Sequence, residues 1–79
     1  MIRHNTGYWI HAGEHGKRDA EVIDDVLRKD CYQLRTVPAG RTFVDIGAHI
    51  GTVATRYREF NPFSKIACVE ACPENVEVL

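Results

Sequence analysis

A chain of 79 residues with a formal net charge of −1 has room for one small domain and carries no electrostatic footprint for DNA, RNA or an anionic membrane. Its 44% apolar and 27% charged residues are those of a soluble globular protein, and no stretch approaches the ~20 apolar residues of a membrane span. The N-terminal Met-Ile-Arg-His-Asn lacks the apolar core of a secretory signal, so a cytoplasmic location is expected.

Along the chain, residues 2–11 place Asn5-Thr6-Gly7 between short β-prone runs, which predicts a hairpin turning there. Tyr8 and Trp9 are expected to pack the aromatic face of that hairpin on the sheet, the alternative being that they line a ligand mouth. Residues 12–16 read as a loop. Over residues 19–29, Ala20, Val22, Ile23, Val26 and Leu27 recur at steps of three and four, the stripe of a helix. Asp19 is the expected N-cap, and Arg28 and Lys29 suit the negative end of the helix dipole. Residues 31–37 fit a short extended segment or a broken helix end. Val37-Pro38-Ala39-Gly40 predicts a turn.

Residues 41–46 then read as a strand whose near-continuous apolar run fits a parallel strand covered on both faces. Residues 50–60 predict a helix with Ile50, Val53, Ala54, Tyr57 and Phe60 inward. Asn61-Pro62-Phe63-Ser64 ends it. Residues 65–70 predict a second parallel strand, and Pro73 suits the first turn of a last helix. The fold class expected is α/β: an N-terminal hairpin and helix, then a partial Rossmann-like βαβ unit with an incomplete parallel sheet. Residues 1–16 form the hairpin and loop, and residues 17–79 the βαβ portion. An open sheet edge invites pairing with a second copy, so a homo-oligomer is expected.

The chemistry sits in Val44-Asp45-Ile46-Gly47-Ala48-His49-Ile50-Gly51 and in Val69-Glu70, whose acid lies 19 residues past Gly51. An apolar strand ends in an acid, two glycines open a helix, and the next strand ends in another acid. Gly47 lets a ligand approach the backbone, and Gly51 lets helix and strand pack closely. The first N–H groups of the helix have no internal partner and can bind an anionic group. Asp45 suits an ammonium group, and Glu70 suits two ribose hydroxyls. A dinucleotide site wants Gly-x-Gly-x-x-Gly, whereas His49 stands where the middle glycine would admit a pyrophosphate, and Asp45 would repel it. A P-loop is excluded because no Gly-Lys-Ser/Thr follows. These features favour S-adenosylmethionine over NAD or FAD. The cysteines Cys31, Cys68 and Cys72 and the histidines His4, His11, His15 and His49 lack the close pairing of a zinc motif, so no metal site is expected.

These residues resemble the first motif of class I S-adenosylmethionine-dependent methyltransferases, and more narrowly the FkbM type, whose loop commonly reads Asp-(Ile/Val)-Gly-Ala-Asn-(Ile/Val)-Gly. Val69-Glu70-Ala71-Cys72-Pro73-Glu74-Asn75 is similar to that family's second motif, an acid, a turn and Pro-x-Asn opening a helix. The likeness covers roughly residues 21–79. It implies that Asp45 and the backbone of Gly47, Ala48, His49 and Gly51 hold the methionine portion, that Glu70 holds the ribose, and that Ala71 or Cys72 flanks the adenine. His49 replaces the commoner Asn and either shapes the loop or bonds the cofactor. Family members are mostly O-methyltransferases acting on hydroxyls of sugars or secondary metabolites. Their acceptor site and any general base lie in later strands, so this chain is expected to be the N-terminal, truncated part of such an enzyme and inactive alone. No catalytic residue or methyl acceptor can be named from it. The competing readings are a non-catalytic βαβ module that oligomerises through its sheet edges, and an NAD-binding oxidoreductase fragment.

Overall fold

The computed structural model describes residues 1–38 and 40–79. Its elements are β1 (Ile2–Arg3), β2 (Trp9–Ile10), α1 (Glu14–Leu27), a 3-10 turn (Leu34–Thr36), β3 (Phe43–Ile46), α2 (Thr52–Phe60), β4 (Ile66–Val69) and α3 (Pro73–Val76). The fold is mixed α/β with two small sheets. β1 and β2 pair antiparallel, with Ile2 opposite Ile10 and Arg3 opposite Trp9. β3 and β4 pair parallel in the register Phe43–Ile66, Val44–Ala67, Asp45–Cys68 and Ile46–Val69, with α2 as the crossover. No described helix is long and apolar enough to cross a membrane.

The hairpin forms where Asn5-Thr6-Gly7 predicts it, closed by the Gly7 and His4 backbone bonds. The first helix differs from expectation. It starts at Glu14 rather than near Asp19, and its N-cap residue Gly13 makes no side-chain cap bond. Gly16, expected in a loop, lies inside the helix because α1 crosses the end of β2 there: a Cβ at Gly16 would fall on the His11 carbonyl oxygen. Asp19 is therefore no cap. It sits mid-helix, buried, with its carboxylate turned toward the end of the hairpin. After α1 the chain takes the 3-10 turn rather than an extended path. The turn expected over residues 37–40 contains Ala39, outside the described residues.

Two apolar clusters meet at Leu27. Tyr8, Ile10 and Ile23 join the hairpin to α1. Val26, Leu34 and Tyr57 join α1, the 3-10 turn and α2, with Phe43 and Ile66 of the parallel pair packed against them. Tyr57 is fully buried, stacks on Phe43 with ring centroids 4.3 Å apart, and donates its hydroxyl to the Arg41 carbonyl at 3.0 Å. Tyr8 donates its hydroxyl to Glu59 on α2.

The parallel pair is covered on one face only, contrary to the two-sided cover its apolar run predicts. Phe43 and Ile66 face the helices, while Val44, Ile46 and Val69 are 56%, 81% and 55% exposed. The strand period of two puts Asp45 and Cys68 on the helix side. That alternation delivers an acid, rather than an apolar side chain, to the foot of the glycine loop.

Candidate functional site

β3 and β4 end side by side, and the two loops that leave them are stitched together. The N–H groups of Gly47 and Ala48 both donate to the Val69 carbonyl, at 2.7 and 3.0 Å. The His49 N–H donates to Glu70 Oε1 at 2.7 Å. Glu70 Oε2 in turn accepts from the Cys72 N–H at 3.1 Å and from Asn75 Nδ2 at 3.3 Å. These N–H donors, with the Cys72 amide contributing most, hold the Glu70 carboxyl below the usual glutamate range. Glu70 is ionised and fixed across the mouth of the loop.

The loop takes three residues through positive φ: Gly47 at 74°, His49 at 55° and Gly51 at 85°. Glycine occupies that region freely, and among other residues Asn, Asp and His tolerate it best. His49 is one of the residue types that accept this conformation. Gly51 begins α2 and is also crowded: an added Cβ would come within 2.7 Å of Leu79 Cδ2.

The Asp45 side chain is half-buried and accepts no hydrogen bond among the described residues, and burial raises its pKa above the usual aspartate value. Burial, then the Asp45 charge, pushes the neighbouring Cys68 thiol up as well, so it stays protonated. An unpartnered, partly desolvated carboxylate gains from any cation that reaches it.

The expected site residues divide between two clefts. Asp45, Gly47, Ala48 and His49 line one of about 630 Å3, walled by Phe43, Ile46, Thr52, Val53, Tyr32 and Leu34. Gly51 lines a second of about 510 Å3, with Ile50, Cys68, Trp9, Arg3 and Leu79. Glu70 touches the first cleft's loop through His49, while Ala71 and Cys72 line neither cleft. The first cleft joins an acid, a glycine loop and apolar walls, a combination suited to an amphipathic cation with an apolar body.

A group that sequence spacing does not show lies beside the loop. His11, just after β2, places Nδ1 2.7 Å from Asp19 Oδ2, and its backbone N–H donates to the same oxygen at 2.7 Å. His11 Nε2 lies 3.0 Å from Asn75 Oδ1. The His49 ring is 5.2 Å from that of His11, and its Nε2 is 4.0 Å from Asp19 Oδ1. Asp19, His11, Asn75, Glu70 and His49 thus form a hydrogen-bonded chain whose two ends, Asp19 and the His49 ring, lie 4.0 Å apart. Its members are up to 64 residues apart in sequence, so no local motif announces it. The one sequence hint is an aspartate on the apolar side of an amphipathic helix.

The chain matches no protein-family model, no curated protein and no solved structure.

Proposed function

We propose that this chain is the S-adenosylmethionine-binding part of a Rossmann-like methyltransferase of the FkbM type, serving transfer to a hydroxyl acceptor. The observation that carries this reading is the His49 N–H to Glu70 Oε1 bond. By it the acid after β4 and the glycine loop after β3 are joined at the carboxyl ends of two parallel strands, where α/β sheets bind their ligands. Asp45 supplies the charge for an α-ammonium group. The free N–H groups at the start of α2 suit the carboxylate of the same amino acid moiety.

Glu70 is the ribose acceptor in this reading, and its bonding sets a condition. A carboxylate offers about four lone-pair sites, and three are taken by His49, Cys72 and Asn75. Two ribose hydroxyls need one more, so the 3.3 Å Asn75 bond, the longest of the three, yields on binding. When bound, the cofactor supplies an activated methyl group on sulfonium. The protein's contribution is alignment and the exclusion of water, which suffices for an in-line displacement. The free state of Cys31, Cys68 and Cys72 accords with a cytoplasmic location.

Calorimetric titration with S-adenosylhomocysteine, with NAD as control, tests this. Saturable binding that Asp45→Ala or Glu70→Ala abolishes is expected, with no heat from NAD. NAD binding that survives Glu70→Ala contradicts the assignment. A second reading, a non-catalytic module that assembles through its sheet, is favoured by the bare face of Val44, Ile46 and Val69. It gains if the folded chain binds no nucleoside.

A further inference from the structure

We propose that His11, Asp19 and His49 form a binding site for one divalent transition-metal ion of the zinc class. The inference is independent of the methyltransferase reading. One donor atom from each residue lies within 4.8 Å of the others, and the three come from different elements: the end of the hairpin, the middle of α1 and the glycine loop.

Charge is the first argument. Asp19 is only 6% exposed, yet among the described residues no lysine or arginine pairs with it; the side chains beside its carboxylate are two imidazoles. A buried carboxylate needs a compensating cation. The second argument is the orientation of the His11 ring. Asn75 spends its Nδ2 donor on Glu70, so it presents its carbonyl oxygen to His11 Nε2. Nε2 is thereby engaged with Asn75, which leaves Nδ1 as the ring nitrogen turned to the Asp19 carboxylate. Nδ1 and the carboxylate are thus two ligand atoms brought to one point, where a metal ion would join them. A ligating histidine ordinarily donates its other N–H to an oxygen, the role Asn75 plays here.

The spacing of His49 points the same way. At 4.0 Å, its Nε2 and Asp19 Oδ1 are too far apart for a hydrogen bond. Tetrahedral ligand bonds of roughly 2.0–2.2 Å set donor atoms about 3.3–3.6 Å apart, so a small turn of the exposed His49 ring toward Asp19 brings it into ligating range. Two imidazoles and one carboxylate suit zinc, cobalt(II) or iron(II) and disfavour magnesium and calcium, which take oxygen ligands. His15, its ring 6.2 Å from that of His11, stands near the rim. An ion here would tie the hairpin and α1 to the glycine loop, and binding the folded state alone would raise stability.

The test uses the full chain stripped of metal with a chelator and titrated with cobalt(II), followed by its visible ligand-field absorption. Saturation at one ion per chain is expected, without the near-ultraviolet charge-transfer band of a cobalt–thiolate bond, and zinc displaces the cobalt. His49→Asn, which tolerates the positive φ of that position, abolishes saturation while far-ultraviolet circular dichroism stays unchanged. Asn75→Ala weakens binding by about 10–100-fold. Absence of saturable binding by the folded chain overturns the proposal. So does a thiolate band, or unchanged affinity in His49→Asn.

Discussion

At Asp45 the requirements of folding and of the proposed binding oppose each other. Burial raises its pKa, so the folded state holds the proton more tightly than the unfolded chain does. The sign follows from linkage: the penalty is absent at low pH and grows as pH rises through the ordinary aspartate value of about 3.9 toward the raised folded one. Asp45→Asn should therefore raise the melting temperature at neutral pH while removing nucleoside affinity. Calorimetry in its scanning and titration modes reads both, and a lowered melting temperature would show that the carboxylate has a cationic partner. Gly16 makes a second case at this scale. In an exposed helix, Gly→Ala gains about 1 kcal/mol, but here the new Cβ meets the His11 carbonyl. Gly16→Ala should destabilise by about 1–3 kcal/mol, as overpacking does, and a denaturant melt measures it. The role of Gly16 is invisible in sequence, because the atom it spares belongs to a residue of the hairpin.

Among elements, the loops that follow β3 and β4 depend on one charge. Hydrogen bonds depress the pKa of Glu70. The contribution is complete above the ordinary glutamate value of about 4.3 and is lost as pH falls through the lower folded value. Amide exchange at His49 and Cys72 should accelerate over that acid range while the amides of α1 remain protected; uniform acceleration would mean global unfolding instead. In the packed layer, Tyr57→Phe should cost about 0.5–1.5 kcal/mol, the worth of one hydrogen bond, because the stack on Phe43 survives.

This is also the scale at which the sequence was most legible. Local periodicity and turn chemistry locate the hairpin, β3, α2, β4 and the Pro73 start of α3, since each depends on neighbours in the chain. The start of α1 was not legible, because Gly16 looks like a breaker until the His11 backbone it accommodates is known. The glycine loop was legible as a motif, down to its two acids. The division of that motif between two clefts, and the hydrogen-bonded chain from Asp19 through His11 and Asn75 to Glu70, depend on contacts between distant segments.

For the whole molecule, the bare side of the parallel pair is the dominant feature. Val44, Ile46 and Val69 stand together in solvent, and β3 and β4 pair only with each other among the described residues. Burying such a surface is worth roughly 25 cal/mol per Å2, so a second copy is the expected cover. Multi-angle light scattering should show concentration-dependent dimers or larger species, and Ile46→Lys should shift them to monomer. A monomer with cooperative unfolding would remove the assembly expectation and leave the cofactor reading untouched. That reading is tested most directly by following the backbone amide resonances of the labelled chain as S-adenosylhomocysteine is added. The account predicts saturable shifts at Gly47, Ala48, His49 and Cys72, because the ligand must contact the loop and share Glu70. Shifts confined to the cleft beside Arg3 and Trp9, or none in a folded chain, would contradict it.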